Sequence, residues 1–393
     1  MTARNPPASL HQRGPLLAVR NLRAYIPLRR DLLGRTRTWR RAVDDVSFEI
    51  KTATTLGLVG ESGCGKTTLG RTILRLWEGS AARAMRARVS GHVLFDGTDV
   101  LAATPGQMRH LRRQMQIILQ DSSGSLNPRM TIGQIVAEPL AIHRLCVGHK
   151  RQERVAHLLD SVGLRPSHAH CYAHELSGGQ RQRVAIARAL ALAPAFIICD
   201  EPVSALDASV QSQVLNLLSD LQRKLKLTYL FIGHDLAVVR HVSHRVAVMY
   251  CGRIVELADA PELYARPLHP YTNALLAAVP GTHRNAGSPG VAAPGSRRQV
   301  TSEQPPPAPG HPPCATRGDT DEVLPRNGEG QGDTTAPAGC AYQPRCPIAT
   351  QKCSEVTPML RVEPGSVPAH LVACHHPHGI CEPTAAPRPG CGL

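Results

Sequence analysis

The fold class that the sequence predicts is α/β with a parallel-sheet core, and three observations carry it. Thr55–Val59, Phe196–Cys199 and Tyr229–Ile232 are short apolar runs, with the length and composition of strands buried on both faces. Helical patterns lie between them, giving the strand and helix alternation of a covered parallel sheet. The runs lead into residues with chemistry, as expected where ligands bind beyond the carboxyl ends of parallel strands.

The first run opens into Gly60-Glu61-Ser62-Gly63-Cys64-Gly65-Lys66-Thr67, which fits G-x-x-x-x-G-K-[ST], and a helical pattern starts near Thr68. Glycines let the backbone curl so that successive N–H groups face phosphate oxygens, and the helix adds the positive end of its dipole. A flexible glycine turn would explain the glycines, but not four specified residues at set spacing over eight positions between one strand and one helix. The chain is therefore expected to bind a nucleoside triphosphate at Gly60–Thr68. Lys66 would span the β- and γ-phosphates, and the Thr67 hydroxyl would ligate Mg²⁺.

The second run ends in Asp200-Glu201. An isolated acidic pair closing a strand is often a solvated turn; downstream of a phosphate loop it reads as the other half of the site. Asp200 is the expected partner of Mg²⁺, and Glu201, turned differently by one residue, the group that polarises the attacking water.

Leu176-Ser177-Gly178-Gly179-Gln180, followed by Arg181-Gln182-Arg183 and a helical stretch through Leu192, narrows the reading. A plain helix cap explains Ser177 but not the Gly-Gly-Gln after it. With this run, the chain resembles the ATP-binding subunits of ABC transporters. The resemblance implies a P-loop NTPase of ABC-ATPase type, with a small antiparallel β region and a helical subdomain over about 116–180. It implies that Ser177, Gly178, Gly179 and Gln180 touch ATP held by a second ATPase subunit. Gln120, closing the run Met115–Leu119, resembles the glutamine that reaches Mg²⁺ and senses the membrane partner. Ser204-Ala205-Leu206-Asp207 resembles the loop that crosses the dimer interface, with Asp207 near the nucleotide. His234 resembles the histidine that bonds the γ-phosphate, and it stands out among nineteen histidines only by its place after a strand. Glu201, His234 and Gln120 are thus the expected catalytic set. The family stacks an aromatic ring on adenine; Tyr25 is the nearest candidate, with Ile26 in the usual slot, Trp39 more distant, and core packing an equal reading of Tyr25.

Three further stretches resemble the ATPases of oligopeptide and dipeptide importers. They are Gln120-Asp121 with Ser125–Gly133, then His269-Pro270-Tyr271-Thr272 with Ala274-Leu275-Leu276, and a cysteine-rich C-terminal extension. The resemblance implies import of peptides across the cytoplasmic membrane, with ATP hydrolysis by a peripheral subunit on its cytoplasmic face. Two transmembrane permeases and, indirectly, an extracytoplasmic solute-binding protein would be the partners, and the second ATPase could be identical or different. Nickel, glutathione or another small solute is the alternative cargo. A soluble ABC ATPase of DNA repair or translation is the alternative class; one phosphate loop, one signature and no sustained heptads place it well below transport.

Cys340, Cys346, Cys353 and Cys374 gather in a stretch too small for its own core. Disulfides are disfavoured beside cytosolic ATP hydrolysis, leaving an Fe–S cluster, zinc or reduced thiols. The importer resemblance favours a [4Fe–4S] cluster, with Zn²⁺ on the same four cysteines as the alternative. Cys64, Cys199 and Cys251 read as small buried or neutral positions.

The 393 residues, 42% hydrophobic, suffice for a sizeable core. No apolar run reaches the ~18 residues of a membrane span, and no apolar secretory segment opens the chain. The net charge of +15 is concentrated partly around Trp39, at Arg29, Arg30, Arg35, Arg37, Arg40 and Arg41. That arm is expected to be a solvated face near lipid headgroups, with no nucleic acid bound. The expected organisation is an N-terminal tail (1–15), an ATP-binding domain (16–279), a disordered Pro/Gly-rich linker (280–338), the cysteine-rich metal-binding segment (339–377) and a tail (378–393), with Cys381 and Cys391 unassigned. The linker is longer than the family resemblance implies, and how rigidly it lets the cysteine segment sit against the core is not fixed by the sequence.

Overall fold

The computed structural model describes residues 14–30, 36–76, 87–278, 339–366 and 369–377. The expected linker and C-terminal tail, most of the N-terminal tail, and Cys381 and Cys391 lie outside the described residues, as do the side chains of Arg29, Arg30, Arg35 and Arg37.

The central sheet is built on β3 (Thr55–Val59), β6 (Met115–Ile118), β7 (Phe196–Asp200), β8 (Thr228–Gly233) and β9 (Arg245–Tyr250), all parallel, in the order β9-β3-β8-β7-β6. Side chains alternate between two cores. Tyr229 and Phe231 of β8 face one and Leu230 and Ile232 the other; β7 splits in the same way, Ile197 and Cys199 against Phe196 and Ile198. Burial on both faces is why these runs are continuously apolar, and each fully buried Leu, Ile or Phe contributes about 1.5–3 kcal/mol over its exposed state.

A four-stranded antiparallel sheet covers one face, in the order β2-β1-β4-β5: β1 (Leu17–Arg30), β2 (Thr36–Ile50), β4 (Arg88–Phe95) and β5 (Thr98–Asp99). Its Leu17, Val19, Val43 and Phe48 share a core with α1 (Lys66–Ile73) and with α2 (Pro105–Gln114), through Leu69, Ile73, Met108 and Leu111.

The other face is helical: α3 (Ser122–Ser125), α4 (Ile132–Ile142), α5 (Gly148–Ser161), α6 (Gly178–Leu190), α7 (Ala208–Leu225) and α8 (Leu236–Val242). α2, α4 and α6 begin with reciprocal capping boxes, Thr104 with Gln107, Thr131 with Gln134 and Ser177 with Gln180, each satisfying two otherwise orphaned backbone donors. None of the described helices is long and apolar enough to cross a membrane.

β10 (Arg253–Asp259) turns back antiparallel to β9 through Cys251 and Gly252, both at positive φ, the backbone of a tight two-residue hairpin. Helices α9 (Ala260–Ala265) and α10 (Pro270–Ala277) follow.

The structure answers what the sequence left open. The described residues of the cysteine segment are docked: β12 (Leu371–Val372) adds antiparallel to β10 and β11 (Arg361–Val362) to β12, so the segment forms the edge of the central sheet. Tyr342 is buried against Tyr250 and Tyr271, and the His370 Nε2 lies 2.7 Å from the Glu256 carboxylate with both side chains buried. A segment without a core of its own borrows the main one. The short helix α11 (Gln351–Glu355) completes it.

His269 ties α10 to this edge. Its Nδ1 accepts from the Tyr271 amide at 3.1 Å, and burial holds the ring's pKa down to about 4, partly opposed by the nearby Glu256. Between pH 6.5 and 4 an unfolded chain would bind a proton that the folded His269 does not, so this group withdraws stability as pH falls through that window, by up to about 3 kcal/mol. His269→Asn keeps a capping acceptor without an imidazole. Its loss of thermal stability between pH 6.5 and 4 is expected to be smaller than that of the wild type; equal pH slopes would refute the burial argument.

Candidate functional site

The register of the parallel strands assembles the site. Val59 pairs with Gly233 and Asp200 with Ile232, so the phosphate loop, Glu201 and His234 leave the sheet at the same edge. They border a cleft of about 540 Å³ lined by Ser62, Gln120, Asp121, Glu201, Ser204, Ala205 and His234.

Three loop glycines, Gly60, Gly63 and Gly65, have positive φ, and at two of them a side chain would also collide with backbone. Gly60 has φ 157° and a Cβ there would lie 2.1 Å from the Met249 carbonyl oxygen; Gly65 has φ 111° and a Cβ would lie 1.9 Å from that of Ala42. Gly252 donates to the Cys64 carbonyl at 2.9 Å, so the β9-β10 turn braces the loop from behind. Lys66 is buried, with its ammonium donating to the Gly60 carbonyl at 2.7 Å and the Glu61 carbonyl at 2.9 Å. Cys64 is buried beneath the loop, while Ser62 and Gly63 are exposed and Thr68 half-buried.

Thr67 Oγ1 donates to Asp200 Oδ1 at 2.9 Å, bringing together the two residues expected at Mg²⁺. Burial pushes the Asp200 carboxyl up from its ordinary range, against the Thr67 hydrogen bond and the Arg71 charge, which pull it down. A hydroxyl beside a buried carboxylate is an oxygen donor set suited to a hard divalent cation.

Glu201 occupies the left-handed region at φ 46°, a conformation that costs a non-glycine residue about 1–3 kcal/mol. Its amide continues the ladder to the Ile232 carbonyl while the carboxylate turns into the cleft. There Oε2 accepts from Gln120 Nε2 at 2.8 Å and lies 3.4 Å from His234 Nδ1. The three residues expected to act together are therefore joined through one carboxylate oxygen.

The signature residues lie outside that cleft. Ser177 is exposed; its hydroxyl accepts from the Gln180 amide at 3.3 Å while the Gln180 side chain accepts from the Ser177 amide at 2.9 Å. Gly179 is buried so close to Val210 that a Cβ would lie 2.4 Å from it, and Gly178 is half-buried. Asp207, exposed, caps α7 by accepting from the Val210 amide at 2.9 Å.

Tyr25 sits mid-strand on β1 and is half-buried. Its hydroxyl donates to Asp44 at 3.1 Å, and the Arg41 guanidinium lies 5.9 Å from its ring centroid. Asp44 also accepts two hydrogen bonds from Arg253. This network accounts for Tyr25 structurally. The Trp39 ring faces Arg88, whose guanidinium lies 4.5 Å from its centroid.

Cys340, Cys346, Cys353 and Cys374 lie within electrostatic reach of one another, and burial pushes the thiols of Cys340, Cys346 and Cys374 up, the last to about 11. Thr350 Oγ1 lies 3.5 Å from the Cys353 sulfur, and the His376 amide donates to that of Cys374 at 3.3 Å. Among the described residues, however, no group of three or more His, Cys, Asp or Glu side chains is arranged to hold a metal ion, and the expected Fe–S or zinc ligation is not supported by this arrangement.

Sequence reasoning missed three supports of the loop: Arg40, which donates to the Gly63 carbonyl, Tyr271, whose hydroxyl accepts from the Glu61 amide at 2.9 Å, and Arg345, paired with the Glu61 carboxylate. Tyr271 stood in a quoted stretch, but nothing in its spacing pointed to the loop.

A curled loop with a buried lysine, a threonine against a strand-end aspartate, and a glutamate bridged to a glutamine and a histidine define a nucleotide-hydrolysing P-loop protein. Residues 43–204 match the ABC transporter family, and residues 255–306 and 313–353 match the family described as oligopeptide/dipeptide transporter, C-terminal region. The chain is 44% identical to the oligopeptide transport ATP-binding protein AppF of Bacillus subtilis (strain 168), over 92% of this chain and 97% of that protein. Among solved structures it is similar to cbiO1 from Clostridium perfringens, part of the ABC transporter complex cbiONQ, with 26% identity, a TM-score of 0.53, and 64% of this chain and 91% of that chain covered. The dimeric ATP-binding cassette MJ0796, in a post-hydrolysis state bound to ADP and Pi, matches with the same identity and TM-score over 62% of this chain and 98% of its own. The chain belongs to the ABC transporter family of ATP-binding proteins, in the branch of oligopeptide and dipeptide transporters, and it is an ATPase.

Proposed function

We propose that this chain is the ATP-hydrolysing subunit that powers import of peptides across the cytoplasmic membrane. The observation that carries the proposal is the 44% identity to an oligopeptide transport protein over 92% of the chain, through the C-terminal region as well as the ATPase core.

In this reading Gly60–Thr68 wraps the triphosphate and Lys66 spans its β- and γ-phosphates. Thr67, Asp200 and Gln120 would hold Mg²⁺, which when bound neutralises charge between those phosphates. Glu201 accepts the proton of the attacking water, Gln120 orients the carboxylate, and His234 bonds the γ-phosphate. Asp207, Ser177, Gly178, Gly179 and Gln180 serve the nucleotide of a second ATPase subunit, identical or different, which the exposure of Ser177 and Asp207 supports. Closure of the pair would drive two permeases docked near Gln120, with an extracytoplasmic binding protein supplying the solute. Tyr25 enters this proposal as the candidate ring to stack on adenine, with packing in the β region, where its hydroxyl bonds Asp44, the equal alternative.

A [4Fe–4S] cluster, or zinc, on Cys340, Cys346, Cys353 and Cys374 has the importer resemblance as its support rather than the arrangement of the side chains, and no step above runs through it. Iron, sulfide and zinc analysis after anaerobic purification decides between cluster, zinc and free thiols.

Glu201→Gln is expected to lower ATP turnover at least 100-fold, the scale of a lost general base, while ATP binding is retained; near-normal steady-state hydrolysis would remove Glu201 from its role. In cells lacking the gene, uptake of a radiolabelled tripeptide is expected to fall and to return with the wild-type gene. Undiminished tripeptide uptake in the deletion strain would refute the cargo assignment while leaving the ATPase standing.

A further inference from the structure

Glu61 is an awkward residue for its place. It lies one position into a loop that surrounds a triphosphate, and its carboxylate adds a negative charge where the ligand brings several. The fold answers with residues distant in sequence. Arg345 Nη1 lies 3.0 Å from both carboxylate oxygens of Glu61, across 284 residues of chain. The same Glu61 is held by its amide, which donates to the Tyr271 hydroxyl at 2.9 Å, and by its carbonyl, which accepts from Lys66 at 2.9 Å.

Arg345 is itself firmly seated. Its guanidinium lies 5.8 Å from the centroid of the Tyr342 ring and is hydrogen-bonded to Tyr250. Tyr342 is 4% exposed and packs edge-on against Tyr250 at 5.3 Å and tilted against Tyr271 at 5.4 Å. Burial works against the guanidinium's charge, but the bonds to Glu61 and Tyr250 more than offset it, so Arg345 stays cationic. Three tyrosines from β9, α10 and the C-terminal segment thus form a base under the loop, with one arginine projecting from it onto the loop's only carboxylate.

We infer that Arg345 is a positioning residue for ATP binding: it cancels the Glu61 charge at the mouth of its own chain's phosphate loop, so that the C-terminal segment tunes the affinity of the site. The inference rests on the reading of Gly60–Thr67 as the triphosphate loop. Without Arg345 the Glu61 carboxylate would stand uncompensated in the loop that receives the phosphates; without both charges the loop would again be balanced.

The test is equilibrium binding of ATP with Mg²⁺ to the purified full-length chain, with thermal unfolding measured in parallel. Wild-type binding is the control for the underlying reading: a wild-type chain that fails to bind ATP sinks the nucleotide assignment itself. Given wild-type binding, Arg345→Ala is expected to weaken ATP about fivefold, the ~1 kcal/mol that an ion pair of this exposure can supply. Arg345→Lys is expected to stay within about twofold of wild type, and Arg345→Ala combined with Glu61→Gln to recover to within about twofold. The loss in Arg345→Ala should shrink as salt rises from about 0.05 to 0.5 M, because the interaction is coulombic. If Arg345 merely anchors the C-terminal segment, the double variant will bind as weakly as the single one and the loss will not respond to salt. That outcome, or unchanged affinity in Arg345→Ala, overturns the inference.

Discussion

The parallel register of β3, β8 and β7 is the constraint on which the rest of the site depends. Because Val59 stands beside Gly233, and Ile232 beside Asp200, three segments far apart in sequence reach the same sheet edge within one residue of each other. No side chain in the cleft has to search for its partner; the backbone ladder delivers it. The cost is concentrated at Glu201, which enters the left-handed region one residue after the strand ends. Its amide stays in the ladder to Ile232 while its carboxylate turns toward Gln120 and His234. Strain of this kind persists only where surrounding structure over-determines the position, and here two strands and a hydrogen-bonded glutamine do so.

The far edge of the same sheet follows a different logic. Glu256 is fully buried on β10, where an unpaired carboxylate would cost several kcal/mol. It is satisfied by the Leu268 amide at 2.8 Å, the His269 amide at 2.9 Å and the His370 ring at 2.7 Å. Two partners come from the approach to α10 and one from the C-terminal segment, so this single carboxylate joins both to the sheet. Removing either side would leave a buried charge under-bonded, which makes the attachment of residues 339–377 far more than a surface contact.

What the sequence disclosed and what it hid divide along physical lines. The strand runs, the phosphate loop and the Asp200-Glu201 pair were legible because each is local: a buried strand must be apolar, and a curled loop must place glycines at positions 60 and 65. The joining of Gln120, Glu201 and His234 was legible only through the family resemblance, since no spacing rule predicts a 2.8 Å contact across 81 residues. Arg345 and Tyr271 were invisible because their partner lies in the phosphate loop, and ion pairs leave no periodicity behind. How the cysteine segment docks was hidden for a related reason: it is decided by Tyr342, His370 and a two-residue strand, features too short to show in a pattern. Tyr25 was ambiguous in sequence, and its bonds to Asp44 explain it as part of the β region.

These two edges meet at the phosphate loop. From the register side, the loop receives Lys66, set at the start of a helix and directed at the carbonyls of Gly60 and Glu61. From the far edge, it receives the Tyr271 hydroxyl and the Arg345 charge, both bound to Glu61. Glu61 is thus the residue through which the sheet's two halves act on one another. The C-terminal segment touches the Glu61 carboxylate through Arg345, while Lys66 is bonded to the Glu61 carbonyl. The contact between that segment and the core runs through the sheet edge and the three packed tyrosines.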